Sequence, residues 1–89
     1  MKAIMTVTGV DHPGIVAAVA TTCADNNVNI LNISQTLMDQ FFTMILQVDF
    51  DDQQLPLEQL QTAMTAVGAT QGLEIRVQSE AIFKAMHTL

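Results

Sequence analysis

Apolar and polar positions alternate at the start of the chain, with Ala3, Met5 and Val7 on one side and Lys2, Thr6 and Thr8 on the other; only Ile4 breaks the polar side. A period of two predicts a half-buried strand over about 2–8. From Pro13 to Asn26 the period lengthens, and Ile15, Val16, Val19, Ala20 and Cys23 recur at helical spacing. The opposite face is small and uncharged as far as Asp25, and Asn26-Asn27 ends the helix.

A second strand spans Val28 to Met38, but its phase slips: Val28 and Ile30 share one face, whereas Leu31, Ile33 and Leu37 share the other. Since a slip of one residue inverts every later side chain, a bulge is expected near Ile30-Leu31. Asp39-Gln40 forms a hairpin turn. The third strand then sets Phe42, Met44, Leu46, Val48 and Phe50 against Phe41, Thr43, Ile45, Gln47 and Asp49. After a polar loop, Pro56 opens a second helix with a stripe of Leu57, Leu60, Ala63, Met64 and Val67, and Gly68 is its expected stop. Leu73, Ile75 and Val77 alternate with Glu74, Arg76 and Gln78 in a fourth strand.

The order βαββαβ predicts an α+β, ferredoxin-like sandwich: an antiparallel four-stranded sheet with two helices on one face. Beyond it, Ser79 is placed to cap a short C-terminal helix with an apolar patch of Ile82, Phe83 and Met86, and Glu80 and Lys84 are spaced as an i,i+4 pair. This helix is expected to cover the open sheet face, where Ile4, Phe41 and Ile45 project, either in its own subunit or in a partner. The chain reads as one domain over 1–89, with a core to about 79 and a helical extension over 80–89.

Composition narrows the class of function. Of 89 residues, 49% are hydrophobic and only 13% charged, so the surface is lightly charged and suits contact with a second subunit. A chain this short buries only about 60–65% of its unfolded surface and gains from dimerisation. The net charge is −6, with Lys2, Arg76 and Lys84 the only strong cations. That balance argues against nucleic acid and against an anionic membrane surface. Thr6, Thr8, Gly9 and Asp11 interrupt the apolar run after Met1-Lys2, so neither a signal peptide nor a membrane span is expected, and the cytoplasm is the expected compartment. Cys23 is the single cysteine, on the apolar stripe of its helix, and reads as an inert buried thiol. Asp49, Asp51 and Asp52 lack the spacing of a calcium loop, so neither a metal nor a cofactor is expected. His87, near the terminus, reads as unengaged.

The candidate chemistry lies in Gly9-Val10-Asp11-His12-Pro13-Gly14, a strand-to-helix turn. A helix start has unsatisfied N–H donors and a partial positive charge, and so favours a carboxylate or phosphate. Pro13 suits the first helical position, and Asp11 or His12 would be the cap. Gly9 and Gly14 would let a ligand or second chain approach the backbone, or would only satisfy the turn. No Ser or Cys nucleophile accompanies His12, which reads as an exposed turn residue rather than a catalytic base. An acylphosphatase would need an arginine in this turn and a metal chaperone paired cysteines, and neither is present; an RNA-binding sheet would need basic and aromatic residues on its open face, where Phe41 alone is not enough.

These residues, with Ile15-Val16 after the turn and Val28-Asn29-Ile30 opening the second strand, resemble the ACT domain family over nearly the whole chain. The likeness is closest to free-standing, single-domain prokaryotic ACT proteins, which share the patterns at Ile33–Thr36, Phe42–Met44 and Ala81–Met86. The chain is also similar to domains of the glycine-cleavage repressor and of formyltetrahydrofolate deformylase. The resemblance implies a non-catalytic regulatory module that binds an amino acid or similar small metabolite at a homodimer interface, with a partner enzyme or regulator as a further associate. It implies a ligand set of Gly9, Asp11, His12, Pro13, Gly14, Ile15, Asn29 and Ile30. In serine-sensing members Asp11 is an Asn and Gly9 a His, so this chain departs from the serine pattern. The alternative is a protein–protein interaction module without a metabolite.

Overall fold

In the computed structural model, which describes residues 1–86, the chain runs β1 (Lys2–Val10), α1 (Ile15–Asp25), β2 (Asn29–Met38), β3 (Phe41–Asp49), α2 (Leu57–Gln71), β4 (Leu73–Ser79) and α3 (Glu80–Met86). The sheet order is β2-β3-β1-β4, and every neighbouring pair is antiparallel. This is the expected βαββαβ sandwich with a short C-terminal helix. His87 lies outside the described residues.

The period-two faces place the core. Met5 and Val7 of β1, with Met44 and Leu46 of β3, point to the helix side and are fully buried against Val19 and Cys23 of α1 and Leu60 and Met64 of α2. Among the described residues no polar or charged side chain is buried. The expected slip in β2 is a register shift between Ile30 and Asn32, which lets Ile30 pack on the core while Leu31 is left exposed. The hairpin turns at Asp39, whose φ of 57° is the left-handed conformation that Asp tolerates.

Two helix boundaries differ from the sequence reading. α1 begins at Ile15 rather than Pro13, and its N-cap is Gly14 at φ 92°, with no side-chain cap. α2 does not stop at Gly68; it continues to Gln71 and is closed by Gly72 at φ 70°. Gly68 is buried inside the helix, where a Cβ would lie 2.6 Å from the Leu73 carbonyl oxygen. Its smallness serves the crossing of α2 over β4, not helix termination.

α3 folds back over β1 and β4 of its own chain. Ser79 Oγ accepts the Ile82 N–H at 3.2 Å, Lys84 Nζ stands 2.9 Å from Glu80, and Gln47 Nε2 of β3 donates to Glu80 at 2.9 Å. The β2–β3 half of the open face stays bare, with Phe41 and Ile45 exposed. Among the described residues no helix is long and apolar enough to cross a membrane.

Candidate functional site

The Asp11–Gly14 turn is held from three sides. From the hairpin, the Gln40 carbonyl accepts the Asp11 N–H at 2.8 Å. From the α2–β4 junction, the Gln71 carbonyl lies 2.7 Å from His12 Nε2. Behind it, Gly9 faces Leu73 so closely that a Cβ there would sit 2.7 Å from Leu73 Cδ2 and 3.2 Å from the Gly72 carbonyl oxygen. The space beside Gly9 is therefore filled by the chain itself.

Asp11 does not cap α1, because Gly14 takes that position, and its side chain is exposed. The first intrahelical bond runs from the Ala18 N–H to the Gly14 carbonyl at 2.9 Å, so the amides of Ile15, Val16 and Ala17 precede it at the positive end of the helix. Gly14 has nothing within 4 Å of the position a Cβ would take, and with Pro13 it leaves the approach to these amides open. The Ile15 side chain is buried and anchors the helix start to the core.

His12, expected as an exposed turn residue, is half-buried and engaged at both ring nitrogens. Nδ1 lies 2.9 Å from the Pro13 carbonyl and Nε2 2.7 Å from that of Gln71. The Pro13 carbonyl, then the Gln71 carbonyl, raise its pKa above the ordinary 6.5; burial opposes them by less, and the neighbouring Asp11 charge adds the smallest upward push. Nothing in local sequence signals the partner 59 positions away. Cys23 is buried, and loss of solvent raises its thiol pKa, which keeps it protonated and unreactive.

Asn29 and Ile30 are not beside the turn. Strand registers put Lys2, Asp49 and Asn29 at one end of the sheet, and Val10, Phe41 and Met38 at the other. The turn follows Val10, so within one chain it stands about 26 Å from Asn29 at the usual rise per strand residue. Asn29 is exposed on the open face and Ile30 is half-buried toward α1. One protomer thus brings Gly9, Asp11, His12, Pro13, Gly14 and Ile15 together and holds Asn29 and Ile30 apart from them.

Residues 2–78 match the ACT domain family. The chain belongs to the ACT domain family. It is 57% identical over 89 residues to a UPF0237 protein of Corynebacterium efficiens, with 100% of both chains covered. Among solved structures it is similar to an ACT domain protein from Streptococcus pneumoniae, with 43% identity, a TM-score of 0.83 and 93% of each chain covered. It is also similar to the regulatory subunit of aspartate kinase from Thermus thermophilus, with 26% identity, a TM-score of 0.69, and 86% of this chain and 50% of that one covered. An ACT domain with a fixed turn and a bare edge strand therefore frames the question of function.

Proposed function

We propose that this ACT domain is a non-catalytic regulatory module that binds a free amino acid, or a metabolite of like chemistry, between two copies of the chain. The observation that carries the reading is the separation of the turn from Asn29. One ligand can meet both only if Asn29 comes from a second copy. β2 offers the means. It is an edge strand in which residues 31–38 are all exposed, and the stretch from Asn26 to Met38 contains no charge. Such an edge is a template for pairing with another strand. The other edge is protected, because β4 carries Glu74 and Arg76 and its Val77 carbonyl accepts from Gln61 Nε2 of α2 at 2.8 Å.

Antiparallel pairing of two β2 strands about Ser34 would set Asn29 of one copy at the level of Asp39 of the other, next to that copy's turn. The helix-start amides after Gly14 would take the ligand carboxylate, and the carboxylate of Asp11 with the side-chain oxygen of Asn29 would accept from its ammonium. Binding across the interface couples ligand to assembly, because a ligand that prefers the dimer must stabilise it.

A thermal-shift screen against the common amino acids tests this function. A ligand at ten times its dissociation constant adds about 1.4 kcal/mol, which moves the midpoint of a domain this size by roughly 6–11 °C. The reading expects a selective shift that Asp11→Ala abolishes. The second reading, a protein-interaction module, draws on a groove of about 470 Å³ between α1 and α2, lined by Ala17, Thr21, Ala66 and Thr70. It expects no shift with any amino acid.

A further inference from the structure

The imidazole of His12 stands between two carbonyl oxygens, at 2.9 Å from Pro13 and 2.7 Å from Gln71. A neutral imidazole has one N–H, so at one of these contacts a lone pair would face a lone pair. Only the imidazolium donates to both. The two acceptors belong to different parts of the fold: Pro13 lies in the turn itself, and Gln71 is the last residue of α2. That helix end has unsatisfied carbonyls, a partial negative charge and no basic residue in its last turn, so it favours a cation.

We propose that protonated His12 is a latch that fastens the Asp11–Gly14 turn to the C-terminal end of α2, so that the turn is firm with the proton bound and loosened without it. His12 is a positioning residue here: it sets the turn through the main chain.

Of the charges on the elements that meet at the latch, Asp11 acts on His12 and favours the proton. Asp11 adjoins His12 in the turn, the hairpin brings Asp39 beside Gln40, and β4 brings Glu74, which is paired with Arg76 at 2.9 Å. The α2 end contributes carbonyl oxygens only. Of the cations, Lys2 is at the opposite end of β1, and Arg76 and Lys84 stand 2.9 Å from Glu74 and Glu80. Since folding raises the His12 pKa, the latch is complete below about pH 6.5 and is lost as pH rises through the higher folded value. If the ligand reading above holds, affinity falls over the same interval.

The test needs no ligand, so it stands or falls apart from the amino-acid screen. Imidazole nitrogens of the full chain are followed by NMR from pH 5 to 9, with His12 assigned by His12→Gln. The latch predicts a His12 midpoint above 6.5 and protons on both nitrogens below it. It also predicts Gly14 and Gly72 amide shifts with that same midpoint, absent from His12→Gln. Denaturant unfolding gives a second readout: wild type is less stable at pH 8.5 than at pH 5.5, and His12→Gln narrows the gap. A His12 midpoint at or below 6.5, or Gly14 and Gly72 signals indifferent to it, overturns the proposal.

Discussion

At Gly68 the backbone of α2 runs against the first residue of β4, leaving 2.6 Å between the place of a Cβ and the Leu73 carbonyl oxygen. The obstacle is main chain and cannot rotate away. Gly→Ala inside a helix ordinarily stabilises by roughly 0.5–1 kcal/mol. Here the sign reverses: overpacking costs of about 1–3 kcal/mol dominate. Thermal unfolding of Gly68→Ala is expected to show a lower midpoint, and a raised one would place α2 farther from β4 than described.

The anchoring of α3 is acid-sensitive. Glu80 accepts from Gln47 and pairs with Lys84, and these interactions, the Gln47 hydrogen bond first, lower its pKa below the ordinary 4.5. A lowered carboxyl pKa contributes stability above the unfolded value, and that stability is lost as pH falls through the folded one. Amide protection factors of residues 81–86, with exchange referred to its intrinsic rate at each pH, should therefore fall below about pH 4.5 while those of β1 and β3 hold. Glu80→Gln should show the lower protection already at neutral pH.

The bare β2 edge predicts an engineered monomer. Ser34 is exposed near the middle of the strand, where the two-fold axis of the proposed pair would pass. Ser34→Lys would bring two like charges together at that point, a device natural edge strands use to refuse pairing. Light scattering should give twice the 9.7 kDa chain mass for wild type and the single mass for the variant. An unchanged mass would move the interface elsewhere.

Much of this fold is legible in the pattern of apolar positions, because burial in a two-layer sandwich is one-sided and leaves its period on each strand and helix. Even the slip at Ile30-Leu31 shows, since the bulge inverts the faces after it. Gly68 and Gly72 show where reading fails. Both are glycines near a helix end, and only the crossing of β4 distinguishes a packing position from a cap. The turn was visible as a motif, but its supports were not: Gln40, Gln71 and Leu73 reach it from distant elements. The gap between Asn29 and the turn follows from the sheet order, in which β1 and β2 both pair antiparallel with β3 and so run the same way.

The central claim is that one site draws Asp11 from one chain and Asn29 from another. Asp11→Ala and Asn29→Ala are each expected to abolish the amino-acid response when assayed alone. Unfolded and refolded together, the two variants form mixed dimers in which one site carries both lesions and the other carries neither. Calorimetric titration of the refolded mixture, with the amino acid that the screen selects, should recover binding at up to one site per mixed dimer. No recovery, in a mixture shown to contain mixed dimers, would contradict the shared site.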